Sequence, residues 1–289
     1  MSRRYAVVDV FTAKQLFGNP LAVVVDAEGL DTEAMQHFAA WTNLSETAFL
    51  LPPTQAGADY RVRIFTPRSE LPFAGHPSVG SAYMAIESGL VSAGKRELVQ
   101  ECAAGLLPMR VEGEGATRRI HVRAPSARLA GEDPTLASTL RGALGAEVRA
   151  ARNVCNGPWW IVSDLGDESA VRALHPDMMA IATLTTRLGA VGVCVFGRSQ
   201  EPGFAMAVRA FCPADGIPED PVTGSANAAI AAYLHATGGL TAFGNRYRAS
   251  QGREVGRDGM VEVAVDEHGE VWIGGECAMV VSGTALLSP

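Results

Sequence analysis

Two short blocks of this sequence carry side chains that can move protons. "GHPSVGSAYMAI", from Gly75, sets His76 before a proline, and "EDPVTGSANAAI", from Glu219, sets Asp220 before a proline. An imidazole and a carboxylate at matched positions suit general acid–base work on a small molecule. A third group lies in "NLSETAFLL", where strand alternation puts Glu46 on the face of Leu44, Ala48 and Leu50, with Ser45 and Thr47 on the other. A carboxylate among apolar neighbours resists ionisation, so its pKa is expected to rise toward the range of a general base or acid. Each residue also has a plain structural explanation. Asp is among the best helix N-caps, a His can be a hydrogen-bonded core residue, and Glu46 can sit at a wet strand end or pair with an Arg.

The elements that must position these groups repeat. His76–Ile86 and Asp220–Ile230 share Pro, Gly, Ser, Ala, Ala and Ile without a gap, and upstream "RIFTP" (63–67) matches "RAFCP" (209–213). Pro77 and Pro221 fit the first position of a helix, where a missing N–H costs nothing. The spacing therefore predicts helices from Pro77 to about Ser88 and from Pro221 to about His235, with His76 and Asp220 as N-caps beside free amides and the positive dipole end. Ala82, Ala85 and Ile86, like Ala226, Ala229 and Ile230, form a small apolar face suited to close packing inside a sheet. Strands are expected at "YAVVDVF", "NPLAVVVD", "SETAFLL", "YRVRIFTP", "PWWIVSDL", "AVGVCVFG" and "FAMAVRAFCP", with a hairpin in "MVEVAVDEHGEVWIGG". Further helices are expected at "DTEAMQHFAAWTN" and "TLASTLRGAL". "APSARLAGEDP" (124–134) collects Pro, Ser, Gly and charge and marks a boundary, giving halves at 1–126 and 127–278. The expected fold is α+β: two pseudo-symmetric domains, each a curved sheet or barrel wrapped around a central helix. If the halves face each other about a pseudo-twofold axis, both helix N-termini would offer amides to an anion in one cleft.

Composition narrows the partners. The 289 residues are 47% hydrophobic and carry a formal charge of −7, without the basic run that phosphate neutralisation needs, so no nucleic acid is expected. No stretch approaches a membrane span, and the N-terminal apolar stretch is short and interrupted by Asp9, so no membrane association is expected. The five cysteines are scattered, odd in number and lack a C-x-x-C pair, which fits reduced thiols in a cytoplasmic protein. The six histidines show no zinc-site spacing, and no dinucleotide or phosphate-loop motif occurs, so neither metal nor cofactor is expected.

"DVFTAKQLFGNPLAVV", "NLSETAFLL", "RIFTPRSELPFAGHPSVGSA", "NGPWWIV", "GIPEDPVTGSA" and "QGREVGR" resemble, in order, the PhzF-like family named for the phenazine-biosynthesis isomerase. The resemblance implies a fold shared with diaminopimelate epimerase and proline racemase, a homodimer, no cofactor, and a C-terminal strand (about 279–289) that returns to the first domain. It also implies that Glu46 is the acid/base, that His76 and Asp220 orient and polarise the substrate, and that Gly75, Gly224 and Ser225 bind its anionic group. The cysteine-dependent racemases of that fold carry a thiol at the start of each central helix, where this chain has Gly75 and Thr223–Gly224. Two departures concern the pocket: Asp258–Gly259 where many relatives have Pro-Ser, and the bulky Trp159–Trp160. The expected activity is a cofactor-independent isomerisation of a small carboxylate-bearing metabolite. The alternatives are an epimerase of the same family and a catalytically idle small-molecule binder.

Overall fold

The computed structural model describes residues 1–288; Pro289, the last residue of the expected C-terminal strand, lies outside them. Backbone contacts divide the chain into two units: Met1–Arg123 with the segment from Gly274 onward, and Ala124–Ile273.

The first unit contains β1 (Ser2–Val10), β2 (Asn19–Val24), α1 (Thr32–Thr42), β3 (Glu46–Leu51), β4 (Tyr60–Phe65), β5 (Glu70–Leu71), α2 (Gly75–Glu87), β6 (Glu97–Cys102), β7 (Gly105–Glu112) and β8 (Arg119–Arg123). The second contains β9 (Arg128–Leu129), α3 (Leu136–Leu144), β10 (Ala150–Cys155), β11 (Trp159–Asp167), α4 (Glu168–Arg172), α5 (Met178–Leu188) and β12 (Gly192–Arg198). It continues with β13 (Met206–Cys212), β14 (Ile217–Asp220), α6 (Gly224–Thr237), α7 (Leu240–Phe243), β15 (Arg246–Gln251) and β16 (Gly259–Val265). The long β17 (Val271–Leu286) starts there and from Gly274 belongs to the first unit.

In the first unit β1 pairs with β2, β2 with β3, β3 with β4, β4 with β6, β6 with β7 and β7 with β8. β8 meets β17, and β17 returns to β1, so eight strands close into a barrel. Helix α2 packs against β1, β2, β3, β4, β6 and β8. A helix that touches six of the eight staves lies inside them. Its sequence allows this because it is small or apolar on every side, the pattern of a buried helix. At the closest approach a Cβ on Gly80 would stand 2.6 Å from Leu21 Cδ2 and 2.9 Å from Val10 Cγ2. Gly80→Ala is therefore expected to destabilise the protein by about 1–3 kcal/mol through overpacking, outweighing the gain in helix propensity. Urea unfolding measures it, and a more stable variant would show that the barrel wall yields. Outside the barrel, α1 packs Met35 and Ala39 over Val24, Phe49 and Phe65.

The second unit repeats this plan. Antiparallel β10–β11 matches β1–β2, and parallel β11–β12 matches β2–β3, with α4 and α5 in the place of α1. Antiparallel β12–β13, parallel β13–β15 and antiparallel β15–β16 match β3–β4, β4–β6 and β6–β7. Helix α6 packs against β10, β11, β12 and β16, near the two ends of this strand order, so the sheet curls around it. Helices α3, α4 and α5 cover the outer face over Ile161, Val193, Val195 and Phe211.

Candidate active site

In the first unit the site is built on β3 and the start of α2. Glu46 opens β3 opposite Leu21 on the parallel strand β2, and Leu21 packs at Gly80 of α2. Paired residues of neighbouring strands share a face, so Glu46 points into the barrel. Thr47, on the other face, reaches Thr42 of α1, their hydroxyl oxygens 3.1 Å apart. His76 is the second residue of α2 and is buried. Its Nε2 stands 3.5 Å from Glu46 Oε2, and the Glu46 side chain keeps 17% exposure. Burial pushes the Glu46 carboxyl up to about 7, with the Ser45 hydroxyl opposing the shift. Glu46 Oε2 accepts no hydrogen bond from the described residues. A half-ionised carboxylate with an unused acceptor, beside an imidazole, can take and return a proton near neutral pH.

In the second unit Asp220 ends β14, and its Oδ2 accepts a hydrogen bond from the Thr223 hydroxyl at 2.5 Å. Its neighbour Glu219 takes a two-pronged hydrogen bond from Arg209, Nε to Oε1 at 2.9 Å and Nη2 to Oε2 at 2.7 Å. The first unit carries the same fork, Arg63 Nε to Glu70 Oε1 at 2.7 Å and Nη2 to Oε2 at 2.6 Å. The two arginines lie over Phe65 and Phe211 at 5.1 and 5.0 Å. The repeated R-x-F-x-P is thus a device that pins the short strand ahead of each central helix.

Neither proton-moving residue is the N-cap expected of it. Helix α2 starts two residues before Pro77, with Ala74 as cap and the first bond from Ser78 N to Ala74 O. Proline is tolerated as the third residue because the first four amides of a helix have no intrahelical acceptor. Helix α6 starts three residues after Pro221, capped by Thr223, whose own N–H goes to Gln251 Oε1. Gly75 and Gly224 are the first residues of α2 and α6, and both are buried. Ser225 follows, its Oγ accepting from Trp160 Nε1 at 3.1 Å and its carbonyl from Asn156 Nδ2 at 2.7 Å.

Strand register exposes an asymmetry that residue spacing alone does not. Thr47 faces Phe65 across β3–β4, and Val193 faces Phe211 across β12–β13, so the counterpart of Glu46 is Gly192. A Cβ there would meet Phe211 O at 2.5 Å, Cys212 Sγ at 2.7 Å and the Trp160 ring at 2.7 Å. The duplicated plan carries its buried carboxylate once. Among the described residues no group of three or more His, Cys, Asp or Glu is placed to hold a metal, and no helix is long and apolar enough to cross a membrane.

A barrel wrapped on a helix, repeated by a second sheet around a second helix, is a diaminopimelate epimerase-like fold. A sequence model of the phenazine biosynthesis-like family, PhzC-PhzF, matches residues 8–283. The chain is 35% identical to trans-2,3-dihydro-3-hydroxyanthranilate isomerase of Pseudomonas aeruginosa, over 98% of this chain and 99% of that one. It is 34% identical to antisense-enhancing sequence 1 of Schizosaccharomyces pombe, over 97% of each. The crystal structure of a phenazine biosynthesis protein of the PhzF family from Bacillus anthracis superposes with a TM-score of 0.81 at 26% identity, covering 99% of this chain and all of that one. The chain belongs to the phenazine biosynthesis-like (PhzF) family of isomerases and epimerases.

Proposed function

We propose that this enzyme isomerises a small carboxylate-bearing metabolite by moving a proton, with Glu46 removing it from one carbon and returning one to another. His76 and Asp220 orient and polarise the substrate, and Gly75, Gly224 and Ser225 bind its anionic group. The enzyme works without a cofactor and as a homodimer. The observation that carries this is the interior Glu46 carboxyl, held near neutral pKa by burial, 3.5 Å from His76. Isomerisation is favoured over epimerisation because a second buried base has no place in the repeat, where Gly192 leaves no room for a side chain. Nor do thiols stand at the starts of the two central helices, which begin Ala74–Gly75 and Thr223–Gly224.

The test is to incubate the protein with trans-2,3-dihydro-3-hydroxyanthranilate, for which the Pseudomonas aeruginosa relative is named, and with a set of small carboxylates, following products by NMR. A product with a relocated hydrogen and double bond supports the proposal. A product that differs only in handedness supports an epimerase, and thermal stabilisation without turnover supports an idle binder.

The pH profile is constrained as well. Glu46 must be ionised to accept a proton, so kcat/KM is expected to climb about tenfold per pH unit below about 7 and to level off above it. A flat pH–rate profile from about 5.5 to 8.5 would remove Glu46 from the role of base.

A further inference from the structure

Asp220 and His76 are held in different ways. His76 sits inside α2, enclosed by the helix's own bond from Ser78 N to Ala74 O. Asp220 lies outside α6, and the segment Asp220–Thr223 is closed by Gln251, the fully buried last residue of β15. Gln251 Oε1 accepts from Thr223 N and from Asn227 Nδ2, both at 3.0 Å. Its Nε2 donates to Asp220 O at 3.0 Å and to Thr223 Oγ1 at 2.8 Å. Both donors meet one end of the amide and both acceptors the other, which fills its four hydrogen-bonding places and fixes its orientation. Thr223 Oγ1, receiving that N–H, directs its own proton to Asp220 Oδ2 at 2.5 Å, since a carboxylate only accepts. The neighbouring Gly252 allows this approach: its φ is +98°, and a Cβ there would lie 2.4 Å from Pro221 O. In the first unit the same register position, the last residue of β6, is Cys102, which faces Gly105 as Gln251 faces Gly259, and its thiol lies 3.7 Å from the Gly105 carbonyl oxygen. The "QGREVGR" stretch thereby gains a physical task in the second unit.

We infer that Gln251 is a positioning residue for Asp220, acting through the Thr223 hydroxyl, an inference that rests on the proposed function. Misplacing a substrate-orienting group by about 1 Å can cost on the order of 100-fold in rate. Gln251→Met in the full chain is therefore expected to lower kcat for trans-2,3-dihydro-3-hydroxyanthranilate by roughly 10–100-fold. In an Asp220→Asn background the same substitution should cost little more, because the group it positions is already lost. Thr223→Val, which removes only the hydroxyl link, should repeat this pattern if Gln251→Met fails to fold, and Thr223→Ser should restore turnover. A readout independent of turnover is amide hydrogen exchange over residues 220–227, expected to quicken at least about tenfold in Gln251→Met. Losses that multiply in the double variants, a Thr223→Ser enzyme as slow as Thr223→Val, or unchanged exchange would each overturn the positioning role. Wild-type protein without turnover, or Glu46→Gln as fast as wild type, would instead defeat the proposed function, leaving the exchange measurement to decide on Gln251.

Discussion

Glu46→Gln is expected to lose catalysis and gain stability at the same time. The amide cannot accept a proton, so turnover should fall by about 10²–10⁴-fold, the range supplied by a positioned acid–base group. Its effect on stability follows from the carboxyl's pKa, which lies at about 7 in the folded protein against an ordinary 4.5. Below pH 4.5 both folded and unfolded states hold the proton, and pH has no effect through this group. Between 4.5 and 7 the unfolded chain releases it while the fold retains it, so stability falls as pH rises. Above 7 the loss is complete, at about 3 kcal/mol. Glu46→Gln removes this slope and should be more stable than wild type at pH 8 and no more stable at pH 4.5. Urea unfolding at both pH values checks it. A variant that is destabilised at pH 8 would show that Glu46 holds the barrel together instead of straining it.

Arg209→Met is expected to be among the most destabilising single changes in the second unit. Arg209 and Glu219 each keep only 7% side-chain exposure, and Arg209 also donates to the carbonyls of Val171 and Leu174 at the end of α4. Removing the guanidinium strands a buried carboxylate and the Leu174 carbonyl oxygen, while Val171 O keeps its bond from Leu174 N, at a cost of about 3–5 kcal/mol. Replacing both partners, Arg209→Met with Glu219→Leu, should recover part of the loss, because the stranded charge goes as well. The matching fork in the first unit is wetter, with Arg63 18% and Glu70 33% exposed. Arg63→Met should therefore cost about 1 kcal/mol or less. Equal losses at both forks in chemical denaturation would mean that burial does not set their worth.

The parts of this fold that were legible were those where one local rule acted alone. The paired G-H-P and E-D-P blocks point to two central helices because a helix enclosed by a barrel must be small or apolar over most of its surface, as α2 is. Asp31 marked the start of α1, and its carboxylate accepts from Ala34 N at 2.8 Å. The helix starts were misplaced where two rules competed: proline fits the first position, yet any of the first four amides can be dispensed with. The strands β6, β7 and β8 were missed, their alternation blurred by Pro108 in β7 and by the charged ends of β8. The Arg–Glu forks were visible only as a repeated R-x-F-x-P, since the partners Glu70 and Glu219 arrive through register. Gln251 and Gly192 left no signal in spacing, because their meaning depends on which backbone lies across from them.

The central claim is that the carboxyl of Glu46 takes a proton from one carbon and, after exchange with solvent, returns one to another. It is tested most directly by running wild type and Glu46→Gln side by side in deuterium oxide and following the substrate carbons by NMR. Wild type should deliver isomerised product bearing deuterium at the newly protonated carbon, while Glu46→Gln should yield neither product nor exchange at the donor carbon. Exchange by the glutamine variant at the wild-type rate would show that some other group moves the proton.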